Sequence, residues 1–185
     1  MALSSTIFQV QLDIADNDRS YYGHQRLTLA QHPSETPERM VARLVAWCLF
    51  SGRHDPPLTF GGGLSTPNEP DLSRRDLLDN VQHWIDMGEP DADRVRRACL
   101  RAPRVTVVPY GRAVPQWWKR QEKDITRMNR AEVLRLPWEE IGQLATELPR
   151  TFTWQVSLTD GILYITDHRG EMVTLAPETL KENAA

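Results

Sequence analysis

Two acids pose the first chemical question. Asp71 follows Pro70 within the stretch from Asn68 to Pro90, and Asp86 closes an apolar run that begins at Val81. The 15 residues from Asp71 to Asp86 leave room for a turn and a returning strand. On neighbouring strands both carboxylates would reach one sheet edge. One or two carboxylates, completed by phosphate and water, suit Mg²⁺ or Mn²⁺. Such a metal lowers the pKa of a bound water and offsets charge building on a phosphoryl group. The plainer reading is that Asp71 caps a turn and Asp86 ends a strand.

Glu35 and Glu38 open the first long helical pattern. Acids at a helix N-terminus are favourable in themselves, and Glu35 stands four residues before Arg39. Glu38 also flanks the apolar stripe that contains Val41 and Val45, so it could point over a sheet edge toward Asp86. In the pattern from Asp91 to Arg101, Val95, Ala98 and Cys99 face inward, and Arg96 and Arg97 straddle that face. Either guanidinium could fork onto a phosphate, but neither could yield a proton as a lysine does. The alternative is a solvated basic face. Trp117 and Trp118 beside Lys119 and Arg120 could stack on bases, or one of them packs in the core and the other half-covers the surface. The segment GGGLST lacks the lysine of a phosphate loop. His24, His32, His54, His83 and His168 show no paired-ligand spacing.

These residues need elements to hold them. STIFQVQLDIAD and YYGHQRLTLAQH alternate around the turn cluster Asp16-Asn17-Asp18, which predicts a hairpin. The first strand reads inward at Ile7, Val10, Leu12 and Ile14 with a slip near Phe8, and the second at Tyr22, Leu27 and Leu29. A helix follows, with Thr36 as N-cap and Pro37 at its first position. From Ser51 to Pro70 glycine and proline exclude regular structure for most of the segment. Then come a strand at Val81–Asp86, a helix at Asp91–Arg101, a strand in RVTVVPY, a helix at Val114–Lys123, a strand or extended arm in AEVLRLP and a helix at Trp138–Leu148. A meander closes the chain, with Asp160-Gly161 as its first turn. Alternating strands and helices in the middle predict an α/β or α+β sandwich.

The chain has 185 residues and is 40% hydrophobic, which predicts one domain over 1–185. No run approaches the ~20 apolar residues of a membrane span, and the first 15 residues lack a secretory pattern. Cys48 and Cys99 sit in helical patterns without metal or redox spacing and read as reduced, buried thiols of a cytoplasmic protein. A formal charge of −3 disfavours non-specific polyanion binding but leaves room for a local basic patch.

HPSETPERMVARLVAW, GLSTPNEPDLSRRD, WIDMGEPDADRVRRAC and VVPYGR together resemble the YaeQ family of small bacterial proteins, over nearly the whole chain. The resemblance implies a fold similar to the PD-(D/E)XK nucleases: a restriction-endonuclease-like central mixed sheet flanked by helices, here with an extra hairpin and meander. It also implies a site. Its helix acid falls on Glu38, with Glu35 as second choice, and its other acids fall on Asp71 and Asp86. The lysine position falls on Gly88, which breaks the motif, and Arg96 or Arg97 are the basic groups at hand. The expected activity is Mg²⁺- or Mn²⁺-dependent cleavage of nucleic-acid phosphodiesters, DNA or RNA. The alternative is an inactive module that binds nucleic acid or a protein partner.

Overall fold

The structure, a computed structural model, describes residues 4–52, 56–62 and 68–184. These form a mixed α/β fold with two mixed β-sheets and four α-helices among the described residues. His54 and most of GGGLST lie outside them. The chain divides into two compact units, Met1–Arg53 with Glu139–Ala176 and His54–Trp138 with Pro177–Ala185.

The first unit holds the expected hairpin, strands β1 (Thr6–Asp16) and β2 (Tyr21–Gln31). Burial follows strict alternation. Phe8, Val10, Leu12 and Ile14 point inward, and Ile7 points out. The expected slip at Phe8 is therefore absent, because Ile7 rather than Phe8 is the residue out of phase. Tyr22 is likewise on the outer face, opposite to Leu29, since their positions differ by an odd number. Helix α1 (Pro37–Phe50) starts where expected: the Thr36 hydroxyl accepts from the Arg39 N–H at 3.2 Å. Every residue from Met40 to Cys48 is buried, so the middle of α1 is enclosed on all sides, as a helix apolar around most of its circumference must be. Burial pushes the Cys48 thiol up to about 12; Cys99 is only half-buried.

The meander supplies the rest of this sheet: β8 (Thr151–Thr159), β9 (Ile162–Thr166) and β10 (Met172–Leu175). Asp160 and Gly161 both adopt positive φ, 52° and 74°, the geometry a two-residue hairpin turn requires. Strand β1 pairs parallel with β8, from Gln9 opposite Thr151 to Asp16 opposite Leu158. Hairpin and meander thus form one sheet in the order β10-β9-β8-β1-β2.

The second unit contains β3 (Leu58–Phe60), β4 (Leu72–Arg75), β5 (Val81–Met87), α2 (Ala92–Arg101), β6 (Arg104–Val108), α3 (Val114–Ile125), β7 (Ala131–Arg135) and β11 (Glu178–Lys181). Helix α4 (Trp138–Leu144) begins at its boundary with the first unit. The sheet order is β11-β7-β6-β5-β4-β3, parallel across β5, β6 and β7 and antiparallel toward both edges. Two strand–helix–strand crossovers through α2 and α3 create the parallel centre. Both helices pack on one sheet face through Val95, Ala98, Val114 and Trp117, against Trp84, Val105, Val107 and Val133. Trp117 is buried and donates to the Pro90 carbonyl at 2.8 Å, and Trp118 is half-buried. The pair is core packing rather than a platform for bases.

Candidate functional site

Asp71 is placed by backbone on both sides. Its N–H donates to the Ile85 carbonyl at 2.9 Å, and its own carbonyl accepts from the Gly61 N–H at 2.8 Å. A Cβ on Gly61 would lie 2.0 Å from the Pro70 carbonyl oxygen, so this approach requires glycine. The first glycine of GGGLST thus seats Asp71. One carboxylate oxygen of Asp71, Oδ2, then accepts from the Met87 N–H at 2.8 Å. Asp86 projects from β5, two residues after Trp84 and on the same face. The sheet therefore brings Asp71 and Asp86 to one place, and both are buried, 5% and 1% exposed.

Asp86 is already engaged. Arg94 Nε donates to its Oδ2 at 2.7 Å, Arg94 Nη2 to its Oδ1 at 2.7 Å, and Trp84 Nε1 to Oδ1 at 2.8 Å. Arg94 Nη2 also reaches the Glu69 carbonyl at 3.0 Å. Burial pushes the Asp86 carboxyl above its ordinary value; Arg94 and Trp84 pull it back, and the charge of Asp71 adds to the rise. The other basic residues lie elsewhere on α2. Arg96 is exposed and pairs with Asp93. Arg97, Arg94 and Arg101 share one helix face at spacings of three and four, where with Asn68 and Trp84 they line a small cavity of about 40 Å³. Arg101 donates to the Asn68 carbonyl at 3.0 Å, and its guanidinium stands 6.0 Å from the Trp84 ring centre.

The helix acids belong to the other unit. Glu38 lies in the first turn of α1. Glu35 is buried in a two-pronged pair with Arg43, Nε to Oε1 at 2.8 Å and Nη2 to Oε2 at 2.7 Å, which makes it a brace for the entry to α1. The lysine position, Gly88, has φ 89° and donates its N–H to the Val108 carbonyl at 2.9 Å. A side chain there would strain the backbone.

A divalent cation does not fit this arrangement as it stands. A carboxylate offers about four lone-pair sites, and Asp86 spends three of them on Arg94 and Trp84. The site that remains, on Oδ2, lies beside the Arg94 guanidinium, which repels a second cation. Among the described residues no group of three or more His, Cys, Asp or Glu is arranged to hold a metal. What the site offers instead is a row of guanidiniums beside an indole. Arg94 escaped the sequence reading, but a signal existed. With Asp91 as N-cap, Arg94 falls in the first helical turn, where side chains lean back toward the strand end. Charge is also divided between the units. The second carries 15 Lys and Arg against 14 Asp and Glu, the first 7 against 11, which gives +1 and −4 toward the total of −3.

A model of the YaeQ protein family matches residues 1–176. An uncharacterized YaeQ protein of Escherichia coli (strain K12) is 34% identical over 173 residues, 93% of this chain and 94% of that protein. One from Salmonella typhi is 35% identical over the same shares. The crystal structure of the YaeQ protein from Xanthomonas axonopodis pv. citri superposes with a TM-score of 0.89 at 39% identity, covering 96% of this chain and 99% of that one. That of the YaeQ protein from Pseudomonas syringae gives 0.90 at 33% identity, covering 98% of each. No helix among the described residues is long and apolar enough to cross a membrane.

Proposed function

The chain belongs to the YaeQ family, and we propose that it is a nuclease-like module that grips nucleic-acid phosphates without cutting them. The observation that carries this reading is the Arg94 fork on Asp86, which occupies both carboxylate oxygens with a permanent cation. Gly88 supports it, since its left-handed backbone disfavours the lysine that hydrolysis would use. Arg97 and Arg101 would hold phosphate oxygens in forked hydrogen bonds, and Asn68 and Trp84 shape the floor beneath them.

A second reading is an Mg²⁺- or Mn²⁺-dependent phosphodiesterase built on Asp71 and Asp86. One observation favours it: the sheet brings two buried carboxylates, Asp71 and Asp86, to one place, and burial, followed in smaller measure by the charge of Asp71, raises the Asp86 carboxyl. Fluorescence anisotropy of short labelled DNA and RNA, with and without Mn²⁺, separates the readings. A gripping module binds in both conditions and leaves the strand intact, and its affinity falls with salt. Arg97→Ala and Arg101→Ala each lower the salt exponent by about 0.7–0.9 per lost phosphate contact. Mn²⁺-dependent cleavage that Asp86→Ala abolishes would establish the second reading instead. Failure to bind any strand would leave the family's other expectation, a protein-binding module.

A further inference from the structure

The outer face of the five-stranded sheet carries two lateral rows set by strand register. In the first, Tyr22 pairs with Ala15, Ala15 with Ser157, and Ser157 with Tyr164, across β2, β1, β8 and β9. Two tyrosines therefore flank two small residues, and Thr174 of β10 continues the row beyond Tyr164. Three strand spacings put the tyrosine Cα atoms about 14 Å apart. The adjacent row runs His24, Asp13, Gln155, Thr166 and Met172. Together the rows enclose a groove of about 490 Å³, within the range of small-ligand sites. Its floor is low because Ala15 and Ser157 are small, and its walls are the exposed side chains of Tyr22, Tyr164 and Met172.

Charge decides what such a groove would hold. Among the described residues no lysine or arginine lines it. Asp13 is its one carboxylate among the described residues, half-exposed, and its Oδ1 meets His24 Nδ1 at 2.5 Å. The unit around it carries a formal −4. Anionic ligands are repelled, and an ammonium group finds the free side of Asp13 together with the negative faces of tyrosine rings. We infer that this groove binds an organic cation, an amine carried on an apolar or aromatic body. The amine would donate to Asp13 Oδ2, and the body would lie on Ala15 and Ser157 between the tyrosine walls.

The test uses phenethylamine as the probe and phenylethanol as its uncharged counterpart, read by calorimetry and by saturation-transfer NMR on the full chain. The expected result is saturable binding of the amine, at least about tenfold tighter than the alcohol, as a charge-assisted hydrogen bond implies. Asp13→Asn removes that tenfold preference, and Ala15→Leu, which fills the floor, removes binding of both. Both substitutions lie on the outer face, so an unchanged melting temperature confirms that the fold is kept. Equal affinity for amine and alcohol, an unaltered preference in Asp13→Asn, or no saturable binding of the amine would each overturn the inference.

Discussion

Arg94 is the residue on which Asp86 depends. Without it, a carboxylate that is 1% exposed keeps, among the described residues, only Trp84 as a side-chain donor. Breaking a fully buried pair costs ~3–5 kcal/mol; the Arg94 side chain is 28% exposed, and solvent screening reduces this. Arg94→Met is expected to lower stability by about 1–3 kcal/mol in urea denaturation. The pH dependence has a definite sign. The Asp86 carboxyl is raised in the folded state, above the ~3.9 of an unfolded aspartate. The folded state thus keeps the proton longer. The stability this gives is fully present below the unfolded value and is lost as pH rises through the folded one. Arg94 holds the folded value down, so Arg94→Met moves the midpoint of Asp86 upward in a carboxyl ¹³C titration and extends the loss to higher pH. An unmoved midpoint would mean that the fork is not what holds Asp86 ionised.

At the scale of elements, the turn after β5 decides how far the nuclease pattern can be followed. Gly88→Lys restores the motif's letter but forces a lysine to φ 89°. It is expected to cost ~1–2 kcal/mol and to lower the melting temperature by ~2–4 °C per kcal/mol, with no gain of hydrolysis. Cleavage activity in this variant would contradict a gripping role. The same region marks what the sequence made legible. Val81–Asp86 announced itself as a buried strand, one residue short of the observed β5, and Asp71 with Asp86 as a pair, because apolar runs and acids at strand ends are local signals. β3 and β4 did not: Leu58–Phe60 has three residues between prolines and glycines, and Leu72–Arg75 has one apolar residue in four. Pairing with β5 makes them strands, and pairing is not written in a window of four residues. The sequence offered Arg96 and Arg97 and passed over Arg94, because the choice turns on helix phase, which the cap at Asp91 sets.

For the whole chain, the last strand is the most exposed to test. β11 covers the edge of β7, with Arg135 paired to Glu178 at 3.1 Å, Lys181 bonded to the Ala131 carbonyl, and the Ala184 N–H on the Asn129 carbonyl at 3.0 Å. Truncation after Ala176 strips that cover, and an uncovered strand edge invites pairing between molecules. The truncated chain is expected to shift toward larger species in size-exclusion chromatography; an unchanged profile would show β7 to be protected without β11. The pairing of β1 with β8 has a different consequence. Thr151 follows its partner Gln9 by 142 positions. At ~5–20 residues per second a ribosome needs on the order of ten to thirty seconds to make the intervening chain. For that time the nascent β1–β2 hairpin presents an open edge along Gln9 to Asp16. A chaperone at the ribosomal exit tunnel would find its binding segment there, and the demand for it would end when Thr159 emerges.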